Sequence, residues 1–385
     1  MSEQDLEQKL RVAEGEGRRL RVKLGLDPTA PDIHLGHAVL LRKARDFQDL
    51  GHQVVVVIGD FTARIGDPTG RSEARRPLDP SEVRANAQTY VTQLERILDP
   101  ERTTVRFNSE WLAPLDLGQV LELASKTTVA RLLERDDFAA RFRSGRPIHL
   151  HEFFYALMQG YDSVALEADV ELGGSDQTFN LMMAREVQRD YGQPPEAAVI
   201  TPLLVGLDGV HKMSKSLRNY VGISEPAPEM FGKLMSLPDA RIAEYLLTST
   251  RVPEQEVAEL TRGMAEGWLN PRDAKLRLAR EVVGIYHGTE AARQAEEGFL
   301  RVFSQHGLPE ELPERALTAT WSGTVVELLV VLGLAPSKSE GRRLVRGGAV
   351  ELDGVRQTDP QGTAVLVDGS VVRVGKRAFC RVRRS

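Results

Sequence analysis

Near its start the chain runs from a strand pattern into a helix pattern through Asp27-Pro28-Thr29-Ala30-Pro31-Asp32-Ile33-His34-Leu35-Gly36-His37, and past its middle stands Lys212-Met213-Ser214-Lys215-Ser216. Leu20, Val22, Leu24 and Leu26 alternate with Arg21, Lys23 and Gly25, which predicts a strand ending at the turn residues Asp27 and Pro28. From Gly36 the period becomes helical, with Val39, Leu40, Ala44, Phe47 and Leu50 on one side and Gly51 placed as a C-terminal cap. His34 and His37 therefore flank a helix start, where unpaired N–H groups and the positive dipole end suit a phosphate. Gly36 lets a ligand approach the backbone closely, and imidazole N–H groups donate to phosphate oxygens.

The second segment offers what the first lacks. Lys212 and Lys215 are mobile cations between small residues, and Ser214 and Ser216 add hydroxyl donors. Stabilising the charge that builds on a leaving pyrophosphate is worth roughly 3 to 4 kcal/mol per well-placed donor. Alone, a His-X-X-His pair is surface or capping chemistry and a Lys-rich turn is a solvated loop. In this order and context the two describe one ATP site.

The rest of the chain alternates in the same way. Val54 to Ile58 is a short apolar run followed by Gly59-Asp60, as in a parallel strand buried on both faces, and Ala198 to Val205 reads similarly apart from Pro202. Between them the spacing predicts a helix over 82–98, with Val83, Ala87, Tyr90, Val91, Leu94 and Leu98 on one face and Ser81 as its cap. Such alternation argues for an α/β fold with a Rossmann-like, doubly wound parallel sheet. After the Lys212 segment the β signals fade, and 228–305 reads as an all-α region. Pro309 and Pro313 punctuate a linker. Thr324 to Leu332 and Ser337 to Arg346 read as two short helices, and Ala349 to Leu352 before Asp353-Gly354 as a hairpin, with further short strands toward Phe379.

With 385 residues, 41% of them hydrophobic, the chain can build two or three domains with well-formed cores. One cysteine, Cys380, excludes an intramolecular disulfide and a multi-cysteine zinc site. No apolar stretch approaches membrane-spanning length, and the charged first twenty residues hold no apolar signal core, so a reducing cytoplasm is the expected location and no membrane partner is expected. Net charge hides an asymmetry: 321–385 holds eleven Lys or Arg against six Asp or Glu, within a chain of net charge −5. A basic terminal module on an acidic body suits a polyanion such as RNA.

His34 to His37 resembles the HIGH signature of class I aminoacyl-tRNA synthetases, and Lys212 to Ser216 is their KMSKS signature unaltered. Asp27 to Pro31, Gly66-Asp67-Pro68-Thr69-Gly70 and Gly173-Gly174-Ser175-Asp176-Gln177 extend the resemblance to bacterial tyrosyl-tRNA synthetases. Ser339-Glu340-Gly341-Arg342-Arg343-Leu344-Val345 resembles the small RNA-binding domain first named for a ribosomal small-subunit protein. The resemblance implies three domains: a catalytic one over 1–222 with an inserted dimerisation segment near 111–147, a helical anticodon-recognition domain and linker over 223–320, and a small α+β RNA-binding domain over 321–385.

It also implies a division of labour. Thr29, His34, His37, Lys212 and Lys215 would serve the transition-state phosphates, while Gly36, Asp176, Gln177 and Ser216 would complete the ATP site, Asp176 at the ribose and Gln177 near the reacting carboxylate. Tyr155, Gln159 and Asp162 are spaced four and three apart, hence on one helix face. The resemblance makes the first two partners of the substrate amino group, with Asp67, and makes Asp162 the partner of the phenol hydroxyl. Arg71 and Arg75 match positions linked to ATP or the acceptor stem. Many relatives carry on the first strand a tyrosine that also meets the phenol; this chain has Lys23 there, and its role is open at this point. Lys338, Arg342 and Arg346, at i, i+4 and i+8, and Arg343 beside them, are the candidate tRNA contacts.

The implied partners are ATP with Mg²⁺, L-tyrosine, tRNA(Tyr) and a second copy of the chain. No tightly bound protein metal is expected, because no compact carboxylate cage stands in the sequence. A tryptophanyl-tRNA synthetase, a nucleotidyltransferase making a small-molecule adenylate, and a non-catalytic RNA-binding relative are the competing readings. Asp162 and the basic tail oppose the first, the tail the second, and intact His34, His37, Lys212 and Lys215 the third.

Overall fold

A computed structural model describes residues 3–28, 32–67, 80–304, 312–318, 320–375 and 378–384. The chain forms two compact units, Met1–Arg293 and Gln294–Ser385.

The first unit is built on five strands, β1 (Arg21–Leu26), β2 (Gln53–Ile58), β3 (Thr103–Phe107), β4 (Val170–Gly174) and β5 (Ala197–Thr201). They lie in the order β3-β2-β1-β4-β5, every pair parallel, with Val22 opposite both Val54 and Val170. This is the doubly wound sheet expected from the alternation, and its strand order reverses between β1 and β4. Helices cover both faces, so the strand alternation misleads at one place: Lys23 is as buried as Val22 and Leu24. β5 ends at Thr201, short of the expected Val205, because Pro202 has no N–H to continue a ladder.

Two helix expectations shift. The helix after the first signature spans Leu35–Asp49 and buries Leu35, Ala38, Val39, Leu41, Ala44 and Phe47. Val39, Ala44 and Phe47 are buried as expected, whereas Leu40 is half-buried, Leu41 takes the buried position beside it, and Leu50 lies past the last turn, exposed. Gly51 follows with φ +93°, a backbone conformation that glycine tolerates best, and so ends the helix as expected. The second helix spans Pro80–Leu94, which places Ser81 inside its first turn instead of at its cap. Val83, Ala87, Tyr90, Leu94 and Leu98 are buried as the spacing requires, while Val91 is half-buried.

Helices Ala227–Met235, Ile242–Ser249, Glu254–Glu266 and Pro271–His287 follow, around a core that includes Phe231, Leu246, Leu278 and Val282. Arg42, on the first-signature helix, ties the sheet region to them by donating to the Ser249 and Thr250 carbonyls at 3.1 and 2.6 Å. These carbonyls lie at a helix C-terminus, where a cation is favoured.

The second unit holds strands β6 (Glu314–Leu317), β7 (Val350–Leu352), β8 (Val355–Gln357), β9 (Val371–Val374) and β10 (Ala378–Arg384) in the order β6-β10-β9-β7-β8. β6 falls in the stretch expected to be linker, because a short strand directly after Pro313 carries little periodic signal. Pro309 lies outside the described residues. The helices Val325–Val331 and Lys338–Arg346 are capped by Thr324 and Ser337, and Thr324 also takes part in a reciprocal box with Glu327. Asp353 and Gly354, at φ 48° and 81°, make the tight turn that the Asp-Gly pair predicts. No described helix is long and apolar enough to cross a membrane.

Candidate active site

The two signatures meet. The Gly36 N–H, in the first turn of its helix, donates to the Met213 sulfur at 3.3 Å, and a Cβ at Gly36 would fall 3.0 Å from the His34 ring. His34 and His37 stack with centroids 3.8 Å apart, and the His34 amide donates to His37 Nδ1 at 3.3 Å. The Lys215 ammonium is held by the Asp32 carbonyl and lies 5.8 Å from the Tyr90 ring centroid. Lys212 pairs with Asp176 at 2.9 Å, just beyond the end of β4. Lys215 thus rests beside the residues that lead into the helix start, and Lys212 beside the end of β4.

The loop has an organiser that sequence reasoning misses. Buried Asn219 accepts the Ser214 N–H at 2.7 Å and donates to Asp208 at 2.9 Å and to the Lys212 carbonyl at 3.2 Å. Gly206 passes so close that a Cβ there would lie 2.3 Å from the Asn219 amide. A lone asparagine after a signature carries no periodic signal by which it could be found.

Tyr155, Gln159 and Asp162 lie on one face of the helix Leu150–Leu166, all buried, as their spacing requires. Each is held by side chains from other segments. The Tyr155 hydroxyl donates to Asp27 at 2.8 Å; Asp27 also accepts from Thr62 at 3.0 Å, and Asn108 donates to Thr62 at 3.1 Å and to Asp162 at 3.4 Å. Trp111 completes the row by donating its indole N–H to Asp162 at 2.7 Å. Asp67 accepts from Arg135 at 3.2 Å, and Gln177 reaches it at 3.5 Å. Asp27, Thr62, Asn108, Trp111 and Arg135 are site residues that the sequence does not announce. Asp27 has the look of a turn residue, and the others sit in or at the start of short helices that carry little periodic signal.

Of the expected site residues, Asp67, Gln177, Tyr155, Gln159 and Asp162 stand in one hydrogen-bonded region, and Gly36, His34, His37, Lys212, Lys215, Ser216 and Asp176 in the adjoining one. Thr29, Arg71 and Arg75 lie outside the described residues. In the second unit Lys338, Arg342, Arg343 and Arg346 share the exposed side of one helix.

Burial sets the charge states. It pushes His34 down to about 2, helped by His37 and Lys215, and His37 to about 4, helped by Lys215, so both imidazoles are neutral near pH 7. Neutral rings still donate one N–H each. Burial also lowers Lys215 to about 8, leaving it mostly charged. Asp162 is raised to about 7 by burial, against the opposing pull of Lys23, Trp111 and Asn108. Among the described residues, no group of three or more His, Cys, Asp or Glu is placed to hold a metal.

The model of the class I tRNA synthetases for tryptophan and tyrosine matches residues 15–304, and that of the S4 domain matches 325–361. The chain belongs to this synthetase family and is an aminoacyl-tRNA synthetase. The tyrosine–tRNA ligase of Moorella thermoacetica is 58% identical over 99% of this chain and 92% of its own length, and that of Thermotoga maritima 52% over 94% and 90%. Among solved structures, the Archaeoglobus fulgidus tyrosyl-tRNA synthetase complexed with L-tyrosine is similar at a TM-score of 0.61 and 25% identity, over 77% of this chain and 94% of that one. The Plasmodium falciparum tryptophanyl enzyme shares the fold, at a TM-score of 0.58 and 14% identity, over 76% of this chain and 81% of that one.

Asp162 gives a test with a definite sign. Its folded pKa of about 7 lies above the ordinary 3.8, so the native state holds a proton that the unfolded chain releases. The stability it contributes is complete below 3.8 and is lost as pH rises through about 7. Chemical denaturation of wild type and Asp162→Asn across this range should show wild-type stability falling relative to the variant up to about pH 7, then running parallel to it.

Proposed function

We propose how these residues divide the work of a tyrosine–tRNA ligase, the activity to which relatives 50 to 58% identical over 99% of the chain point. The observation that carries the reading is the contact of the two signatures through Gly36 and Met213, beside a buried polar stripe built to hold an amino acid.

In the first step the tyrosine carboxylate attacks the α phosphorus of ATP, its bond to that phosphorus forms, and pyrophosphate leaves with the electrons of the broken P–O bond. No general base is needed, since an α-carboxylate with a pKa of about 3.5 is already ionised. Catalysis is then positioning and electrostatics. His34 and His37 act as neutral N–H donors at the helix start, and Lys215 and Lys212 supply charge. Lys212 must exchange Asp176, and Lys215 the Asp32 carbonyl, for phosphate, so ATP binding reorganises the loop. Asp176 is thereby released for the ribose, with Gln177 beside the reacting carboxylate, Gly36 under the phosphates and Ser216 as a further donor. Thr29 serves the pyrophosphate in this scheme. Mg²⁺ belongs to the substrate, arriving on the ATP phosphates.

Asp67, Tyr155 and Gln159 hold the substrate ammonium, and Asp162 accepts the phenol hydroxyl. With Trp111 and Asn108 already donating to it, Asp162 serves as an acceptor, and phenylalanine leaves that acceptor unmatched. In the second step the tyrosyl group passes to a terminal ribose hydroxyl of tRNA(Tyr), releasing AMP. The helices over 227–293 read the anticodon end and the S4 domain grips phosphate. Lys338 is paired with Glu327 and Arg343 with Glu340, so Arg342 and Arg346, with no ion pair among the described residues, are the better phosphate contacts. Two copies join through the segment near 111–147, where Leu117, Leu121, Val129 and Phe142 are exposed together with neighbouring Leu150.

Pyrophosphate exchange driven by tyrosine, and not by tryptophan or phenylalanine, is the expected result; exchange driven by tryptophan would overturn the substrate assignment. In the same assay His37→Ala and Lys215→Ala should each lower the exchange rate by about a hundredfold or more with tyrosine affinity nearly unchanged. Because β6 pairs with β10, a clean removal of the S4 module cuts after Ser304, ahead of the expected boundary at 321. That truncate should keep tyrosine-dependent exchange and lose transfer to tRNA. Its tRNA affinity should depend less steeply on salt than that of the full chain, by roughly 0.7 to 0.9 in log–log slope for each phosphate that the S4 module neutralises. Sedimentation at micromolar concentration should find a dimer, and Leu121→Glu with Phe142→Glu should shift it to monomer.

A further inference from the structure

Beneath the polar stripe lie three ionisable groups that the reaction does not use: Lys23 on β1, Glu171 on β4 and Glu196 just before β5, all at most 1% exposed. Lys23 donates to the Gln159 carbonyl at 2.8 Å and to the Ser163 hydroxyl at 2.6 Å, and pairs with Glu171 at 2.9 Å. The same Glu171 oxygen accepts the Gln159 side-chain N–H at 3.0 Å. Gln159 is thus gripped twice, by its main chain from β1 and by its amide from β4.

The chemistry of the partners decides the polarity of that amide. An ionised carboxylate accepts and does not donate, so the NH₂ end of Gln159 must face Glu171 and the carbonyl end must face away. There its oxygen accepts from Asn180 at 3.0 Å, and Asn180 in turn accepts from Arg135, the residue that holds Asp67. A carbonyl pole aligned with the Asp67 carboxylate is what an ammonium needs; an inverted amide would point N–H groups at it. Burial alone would lower the Lys23 ammonium, but its neighbouring carboxylates, Glu171 foremost, hold it above its ordinary value, and burial followed by repulsion from Glu171 lifts Glu196 well above the carboxylate range. Neutral Glu196 leaves Lys23 and Glu171 as the ion pair of the cluster.

We propose that Lys23 and Glu171 are positioning residues for amino-acid recognition: their buried pair clamps Gln159 and fixes its side-chain oxygen toward the substrate ammonium. This rests on the assignment of Gln159 to the ammonium made above. It also gives Lys23 a role on the sheet side of the helix, away from the phenol.

The test compares tyrosine with 3-(4-hydroxyphenyl)propionate, which keeps the phenol and carboxylate and lacks the ammonium. Equilibrium dialysis of full-length wild type measures both affinities, the second by competition. Glu171→Gln introduces a donor at the clamp and permits the Gln159 amide to invert. The expected result is a loss of about tenfold or more in tyrosine affinity, with affinity for the desamino acid unchanged. The KM for ATP should stay at the wild-type value. Lys23→Met with Glu171→Gln, which strands no buried charge, should show the same selective loss, and Lys23→Arg with Glu171 intact should retain tyrosine binding better than either. Unchanged tyrosine affinity in the folded variants, or equal losses for both ligands, would overturn the clamp. A wild-type protein that binds the two ligands equally would instead remove the ammonium role of Gln159.

Discussion

The parallel pairing of β1 with β4, Val22 opposite Val170 through Leu24 opposite Leu172, is the constraint on which the site depends. It brings the C-terminal ends of two strands side by side where the strand order reverses, and chain leaving those ends must diverge. β1 delivers Asp27 and, after the turn, the helix start carrying His34, Gly36 and His37. β4 delivers Asp176 and Gln177. The helix Leu150–Leu166 packs across the same strands and offers its polar stripe to the gap between them. A register slip of one residue would turn Lys23 away from Glu171 and exchange the covered faces of β1.

How much of this is legible in the sequence follows from what each feature depends on. The strand before Asp27, the Val54–Ile58 strand and the two capped helices of the second unit depend on local periodicity and turn chemistry, so they can be read directly. Gly51 and Asp353-Gly354 can be read because their backbone angles restrict which residues fit. β6 cannot, since Glu314–Leu317 is a strand only because β10 lies beside it. The spacing of Tyr155, Gln159 and Asp162 shows that they share a face. It cannot show that Asp27, Trp111 and Asn180 reach them from three other segments. Lys23 is the sharpest case, because its alternation marks it as polar and outward, whereas a sheet covered on both faces gives it no outward side.

Placing so many polar groups out of water is unfavourable unless each finds a partner. Around the stripe nearly every partner is a side chain from another segment: Asp27 for Tyr155, Trp111 for Asp162, Asn180 for Gln159, Asn108 for Thr62. Networks of this kind are rigid because loss of one member strands the others. The exceptions are informative. His34 Nδ1 is buried without a hydrogen-bond partner, and Glu196 is buried against a second carboxyl group, Glu171. In both cases burial drives the group neutral.

The neutrality of the two histidines bears on how charge is distributed during the reaction. Phosphate charge shifts toward the leaving pyrophosphate, and a donor fixed at the helix start can follow it only by geometry. In the proposed scheme His34 and His37 are such donors, stacked on each other and held at the first turn. The lysines are different: each rests on a protein oxygen, Asp176 or the Asp32 carbonyl, and sits on a loop whose conformation is set by Asn219. The proposed scheme therefore combines uncharged donors packed against each other with charged groups that would have to leave their resting contacts. In the proposed scheme full positive charge would reach the phosphates only once ATP had displaced both resting contacts, which would couple electrostatic stabilisation to occupancy. The Gly36–Met213 contact would anchor the loop meanwhile, beside the helix start.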